Sequence, residues 1–164
     1  MSNHAVSITW SEFLRDVPDI GKVVLDVFRS HPHHVIATIK PDGSPRVGGT
    51  NVQFTNDHMW IGAMLRAYRV SDLMRESRCS IHSAPLDEHL QRPDVQLDAI
   101  AELAGDTTAR ALLSNEVGAH DGKVFLLKIC SVRVLRVNGE ELHVDSWNPQ
   151  HGVRIHKITP EGHS

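Results

Sequence analysis

The sequence predicts a mainly β domain, a closed or half-closed antiparallel barrel with helices at its periphery. Three observations carry that prediction. From His33 onward, runs rich in β-branched residues alternate with short turns containing Pro, Gly, Asn or Asp. Asn138-Gly139 separates two apolar runs with the residue pair that favours a two-residue hairpin. The period of 3.6 that marks an amphipathic helix is confined to short stretches between these runs.

The elements follow in order. Thr9 and Glu12 have capping-box spacing ahead of Phe13 and Leu14, so the chain opens in helix. Pro18 suits a first helical turn, and Ile20, Val23, Val24, Val27 and Phe28 form one apolar face, giving a helix over about 18–30. HHVIATIK is a strand, PDGSP a tight turn, RVGGTNVQFT a second strand interrupted by Gly48 and Gly49, TNDH a turn and MWIGAM a third strand. These three form an antiparallel meander. Arg66 to Ser77 is a helix with Val70, Leu73 and Met74 on its buried edge and Arg66, Arg69 and Arg75 on its other sides. RCSIHSA is a strand, Pro85 to Pro93 a polar irregular loop, and VQLDAIAEL a strand by alternation. TARALLSNEV is a short helix capped by Asp106 or Thr107. Lys123 to Val137 is a long strand whose inward-facing set switches near Cys130, as a β-bulge would make it. ELHVDSW closes the sheet. The total is about seven strands and three helices in one domain over 1–164, with the barrel at about 33–147 and a polar tail at 148–164.

Composition narrows the function. The chain has 164 residues, 40% hydrophobic and 23% charged, with a net charge of -3. A dedicated nucleic-acid binder is usually basic, so no nucleic-acid partner is expected. The longest apolar run, around Trp60–Leu65, is far short of the roughly 20 residues that cross a bilayer, so no membrane is expected. No apolar stretch of a secretory signal precedes Arg15, and the two cysteines, Cys79 and Cys130, have neither CxxC nor zinc spacing. Both read as buried, inert thiols, and the expected compartment is a reducing cytoplasm. His31, His33 and His34 cluster around Pro32, but no Cys or paired carboxylate stands near them, so no metal site is expected.

No GxSxG, HExxH, Walker loop or GxGxxG is present. Two features carry chemistry. Glycines inside a strand weaken it unless something approaches its backbone closely. Gly48 and Gly49, followed by Thr50 and Asn51, therefore mark either a flat ligand lying on this strand or a bulge or barrel corner. The second feature is the junction IGAMLRAYRVSDL, which places Arg66 and Arg69 in the first turn of a helix, where unpaired N–H groups and the positive dipole end favour an anion. It is either a phosphate site or a solvated basic face. Trp147 ends the last strand before Pro149 and Gly152. Its ring either meets something apolar across an interface or packs under the N-terminal helix, against Val24 or Phe28.

The runs ATIKPDGSPRVGGTNVQF and MWIGAMLRAYRVSDLMRESRCSIH, with GKVFLLKICSVRVLRVNGEELHVDSWNPQHGVRIHK at the C-terminal end, resemble the pyridoxamine 5′-phosphate oxidase-like flavoproteins over about residues 20–157. The resemblance implies a split β-barrel of antiparallel, Greek-key-like type that binds FMN. It also implies a homodimer with two flavin sites at the subunit interface. Arg69 falls on the residue that grips the flavin phosphate. Gly48, Gly49, Thr50 and Asn51 fall on the strand under the ring and ribityl chain, and Gly62, Ala63 and Met64 on the neighbouring strand. Trp147 and Arg154 fall near the Trp and Arg that complete the site from the other subunit.

The departures matter too. The vitamin oxidase has a second phosphate-gripping Arg where Gly48 stands and a Lys where Gln53 stands. The expected function is therefore an oxidoreductase on a small molecule that uses FMN or the deazaflavin F420, with Arg46 and Arg66 available for a polyanionic tail. The alternative is a non-enzymatic flavin or haem carrier, or a redox sensor. No side chain is required as a general acid; His82 or Tyr68 would be the candidates.

Overall fold

The computed structural model describes residues 6–84, 89, 92–114, 122–160 and 162–163. Thr9 opens α1 (Trp10–Asp16) with the expected capping box: the Glu12 amide donates to the Thr9 hydroxyl, and the Glu12 carboxylate accepts from the Thr9 amide at 2.7 Å. Pro18 opens α2 (Pro18–Arg29), whose buried face is Gly21, Val24, Val27 and Phe28. The strands are β1 (His34–Ile39), β2 (Pro45–Thr50), β3 (Gln53–Phe54), β4 (Met59–Met64), β5 (Arg78–His82), β6 (Asp94–Leu103), β7 (Gly122–Asn138), β8 (Glu141–Asn148), β9 (Gly152–Thr159) and β10 (Gly162–His163). Helix α3 (Tyr68–Arg75) follows β4, and α4 (Asp106–Leu113) follows β6. Every strand pair is antiparallel.

The sheet runs β10-β9-β8-β7-β6-β5-β1-β2, with the β3–β4 pair joined to β7 through β4. One edge of β7 pairs with β6 along most of its length. Its other edge is divided: β4 takes Gly122 to Leu126, Ile8 takes Ile129 in an isolated bridge, and β8 takes Val132 to Asn138. That division is the split of the barrel. The N-terminal segment fills it, and α1 follows at once, stacking Trp10 on Phe54 and Phe13 on Trp147 at ring separations of 4.9 and 4.8 Å. The core is continuous from these aromatics through Ile36, Ile61, Ile81, Leu97, Leu127 and Ile129. A smaller cluster of Trp60, Ala104, Leu112 and Val124 seats α4.

The bulge lies where the pattern predicts it. Asp98 pairs with Ser131 and Ala99 with Ile129, so Cys130 is the extra residue. Asn138 and Glu141 close a two-residue hairpin with Gly139 at φ +66°. Both thiols are free. Burial pushes the Cys79 thiol up to about 12 and raises that of the half-buried Cys130, so both are inert.

Several expectations are corrected. There are ten strands and four helices among the described residues, not seven and three. The first three strands are a meander only in part: the predicted second strand breaks at Asn51 and Val52 into β2, which pairs with β1, and β3, which forms the hairpin with β4, while the other edge of β4 pairs with β7. The 148–164 tail is largely sheet, because Gly152 at φ +66° turns β9 back along β8. The helix after β6 has Gly105 at its cap, not Asp106 or Thr107. In α3 the buried polar position is Asp72, while Met74 faces solvent. Most of the 85–93 loop lies outside the described residues.

Trp147 is 1% exposed. It packs edge-on against Phe13 of α1, in the same core cluster as Val24 and Phe28, and its indole N–H donates to Asp16 at 3.0 Å. Trp147→Phe removes that bond and the bulk of a buried indole; Asp16 is exposed and water takes over its carboxylate, so the lost bond itself costs about 0.5–1.5 kcal/mol. Thermal melting should show the loss, and cofactor affinity per folded molecule should stay unchanged.

Candidate functional site

The candidate site is the seam between β2 and α3. β2 is an edge strand, and an unprotected edge is a pairing hazard. α3 runs along it with three polar ties. Arg75 donates to the Ile39 carbonyl, Asp72 binds Arg46, and Arg69 Nη1 donates to the Gly49 carbonyl at 2.7 Å. Val70 and Leu73 face the core, which fixes the turn of the helix.

Asp72 organises the middle of this seam. It is buried, and one oxygen accepts from the Thr38 hydroxyl at 2.9 Å and from Arg46 Nε at 2.7 Å. The other lies 3.6 Å from Arg75. Burial pushes the Asp72 carboxyl up; the bonds from Arg46 and Thr38 and the charges of Arg46 and Arg75 outweigh it and hold the group below its usual value. Sequence reasoning missed Asp72. Its signal was the spacing Arg69, Asp72, Arg75, a carboxylate one helical turn from each of two arginines.

The glycines are not a bulge or a corner. Gly48 pairs with Ile36 and Gly49 with Val35 in unbroken register. A Cβ at Gly48 would meet nothing within 4 Å, and one at Gly49 would reach only the His34 carbonyl oxygen at 4.0 Å. As neighbours in a strand the two face opposite sides of the sheet, so space stands open on each side at its own glycine, and a ligand laid on either face would lie over one of them. Arg69 borders that space, and burial lowers its pKa. One of its five N–H donors is used on Gly49, and the others are available to an anion. The start of α3 has no side-chain cap and no acidic residue in its first turn.

The other predicted residues fall in different places. Thr50 is buried, and Asn51 is exposed with its amide oxygen 2.7 Å from His33 Nδ1. On β4, Gly62 is open, Ala63 is in the core and Met64 is 79% exposed. Arg66 is exposed but lies in the turn before α3, not in its first turn. Arg46 gives its Nε to Asp72, which shares its charge, and lies over the Tyr68 ring, 5.0 Å from its centroid. Tyr68 is exposed, and His82 Nδ1 is 2.6 Å from the Ser83 carbonyl oxygen. Trp147 is enclosed as described. Arg154 is exposed on β9, at the far end of the sheet from β2. The structure brings Gly49 and Arg69 together, with Arg46 and Tyr68 beside them, and leaves Trp147 and Arg154 apart.

A groove of about 500 Å³ also crosses the outer face of β1, β5, β6 and β7. In it the Ser80 and Ser131 hydroxyls donate to the two oxygens of Asp98 at 2.6 and 2.8 Å, which satisfies that carboxylate within the sheet. No group of three or more His, Cys, Asp or Glu able to hold a metal occurs among the described residues. No helix among them is long and apolar enough to cross a membrane.

Asp72→Ala strands the Thr38 hydroxyl and leaves Arg46 unpaired, a loss of about 1–3 kcal/mol. The pH dependence has a definite sign. The folded carboxyl titrates below its unfolded value, so its contribution is whole above the unfolded value and is lost as pH falls through the folded one. Melting temperatures below pH 5 should therefore fall more steeply for the wild type than for Asp72→Asn.

No protein-family model matches the chain, and no curated protein matches it. Solved structures do. A pyridoxamine 5′-phosphate oxidase-related, FMN-binding protein of Nostoc punctiforme superposes with a TM-score of 0.63 at 14% identity, covering 87% of this chain and 96% of that one. A heme-binding protein of Mycobacterium smegmatis gives 0.58 at 19% identity, over 87% of this chain and 59% of its own length. The heme storage protein of Vibrio cholerae gives 0.53 at 15% identity, over 65% and 87%. With its divided β7 edge and its flanking helices, the chain has the split-barrel fold of the pyridoxamine 5′-phosphate oxidase-related proteins.

Proposed function

We propose that the protein binds FMN, or the deazaflavin F420 in its place, and acts as an oxidoreductase on a small molecule, as a homodimer with two shared sites. The observation that carries this reading is the open strand at Gly48 and Gly49 with Arg69 at its side. A flat ring needs a backbone without Cβ atoms beneath it, and a phosphate needs donors at the ring's edge. The strand supplies the first. Arg69, Arg66 and the free amides at the start of α3 supply the second. Bound flavin brings the hydride chemistry; this chain's residues bind it, orient it and exclude water. Cys79 and Cys130, both free, suit a reducing cytoplasm.

Arg154 supports the dimer. β9 and β2 stand six strand spacings apart along the sheet, roughly 29 Å. A second copy is what would bring Arg154 to the glycine strand. The FMN-binding relative of the same fold agrees with a flavin; the two heme-binding relatives favour a carrier role, in which His82, with Nδ1 tied to Ser83, would offer Nε2 to the iron.

The visible spectrum of the purified protein, with mass spectrometry of the extracted ligand, separates these readings. A flavin or deazaflavin band supports the first, and a sharp Soret band overturns it. Arg69→Ala should weaken FMN binding about tenfold or more, since charge-assisted bonds contribute about 1.5–3 kcal/mol. Gly49→Val should block FMN while leaving the apo melting temperature near the wild-type value, because the added atoms enter open space. Sedimentation should give twice the chain mass. Arg154→Ala should then weaken FMN binding without dissociating the dimer; a monomer that binds FMN at full affinity overturns the shared site.

A further inference from the structure

His34 opens β1, and 3% of it is exposed. Both ring nitrogens are engaged. Nε2 lies 3.0 Å from the Phe28 carbonyl oxygen in the last turn of α2, and Nδ1 lies 3.1 Å from the Ala84 amide nitrogen. A carbonyl only accepts and an amide only donates, so the ring is neutral, with its proton on Nε2. It also packs on the Phe28 ring, centroids 4.6 Å apart. One imidazole thus bridges the end of α2 and the segment that leaves β5. Just before it, Ser83 is fixed to β6: its amide donates to the Val95 carbonyl at 2.8 Å, and its hydroxyl accepts from the Val95 amide at 3.0 Å. At Ala84 the hold on this segment passes from β6 to His34.

We propose that His34 is a proton-operated latch: the neutral ring holds Ala84 to the end of α2, and protonation of Nδ1 releases it. A proton on Nδ1 would point at the Ala84 N–H, two donors face to face, so one bond must open. The surroundings give the charged ring little support. His31 and His33, on the turn before it, oppose a further positive charge. The α2 end offers the Phe28 carbonyl and, in its last turn, the side chain of Arg29. β2 offers Thr50, directly paired with His34, and Asn51, both uncharged. β6 brings Asp94 before Val95. Burial dominates, and His34 titrates below its ordinary value. The latch is therefore shut at neutral pH and opens only below the pH at which an ordinary histidine titrates.

The latch lies behind the glycine strand. His34 pairs with Thr50, and His33 bonds Asn51. Release at Ala84 loosens the corner against which Gly49 to Asn51 is laid. None of this depends on the identity of a cofactor.

The test uses the full chain without ligand. Nitrogen NMR of the His34 ring should show the tautomer protonated on Nε2 and a pKa below the ordinary histidine value of about 6.5. Amide exchange at Ala84, corrected for its intrinsic pH dependence, should speed up about tenfold for each unit of that pKa shift once the ring is charged. His34→Gln, which keeps a donor and an acceptor but does not titrate, should lose the pH step. A His34 pKa at or above the ordinary value, an Ala84 rate that does not change with pH, or a pH step that survives in His34→Gln overturns the proposal. Should His34→Gln not fold, the wild-type titration and the Ala84 rates decide alone.

Discussion

One edge of β7 has to serve three partners, and the rest of the fold follows from how it is divided. A strand of 17 residues is far longer than the usual five or six, and a right-handed twist accumulates along it. By its C-terminal half it has turned away from the barrel, so β4 cannot accompany it to the end. The bulge at Cys130 sits at that changeover. It resets which side chains face inward, so that Ile129 and Val132 both enter the core although three positions apart. Between β4 and β8 the backbone of Ile129 would be left without partners. Ile8 supplies both, its amide and carbonyl bonding those of Ile129 at 3.0 and 2.8 Å. The N-terminal segment is thus a structural member of the sheet, and α1 is delivered by it to the gap where Phe13 and Trp147 meet.

At the opposite end of the sheet the problem is an open edge, solved differently. β2 has β1 on one side and a helix on the other. A helix cannot extend a ladder, so side chains tie α3 to the sheet instead: Arg69 to the Gly49 carbonyl of β2, Asp72 to Arg46 of β2, and Arg75 to the Ile39 carbonyl of β1. Three arginines on one seam repel each other unless something lies between them. Asp72 is that element: it draws Arg46 and Arg75 together and leaves Arg69, one turn away, without an acidic partner among the described residues. The same arrangement that closes the edge therefore concentrates the uncompensated positive charge at the start of α3.

Much of this was legible in the sequence, for reasons that can be stated. The bulge showed because a shift of one residue flips an apolar pattern, and β7 is long enough for the flip to be seen. The first helix showed because a capping box is a local device, read from four residues. The β1–β2 hairpin showed because Gly43 and its neighbours are turn residues whatever surrounds them. What depends on distant partners did not show. For Trp147 the sequence left open an interface or a seat under the N-terminal helix, because its neighbours in sequence are polar and its packing comes from Phe13, over a hundred positions away. β9 looked like a tail because it buries no apolar face, Val153 and Ile155 being exposed like Arg154 and His156; what makes it a strand is the register with β8. At the site, the arginines were visible as charges, but which of them was already committed was not, since that rests on the burial of Asp72.

The glycines offer the strongest argument about what the seam is for, because a glycine in a strand or helix costs roughly 0.5–1 kcal/mol relative to alanine and wants a reason. Inside this chain most of the described glycines have one. Gly43, Gly139 and Gly152 sit at positive φ in turns. A Cβ at Gly21 would fall 2.6 Å from Leu14, and one at Gly122 would fall 3.1 Å from the Ala63 carbonyl oxygen, so packing excludes it. Gly48 and Gly49 have neither reason; Gly62 and Gly105 lack them too, but only Gly48 and Gly49 stand side by side in a strand. Their φ angles are ordinary, their ladder is regular, and the positions over them are empty. Nothing within the protomer is improved by their lacking side chains, and the strand is weakened by it twice in succession. The flavin proposed above would compensate for it by lying against that backbone, with its phosphate on the donors that Arg69 does not spend on Gly49.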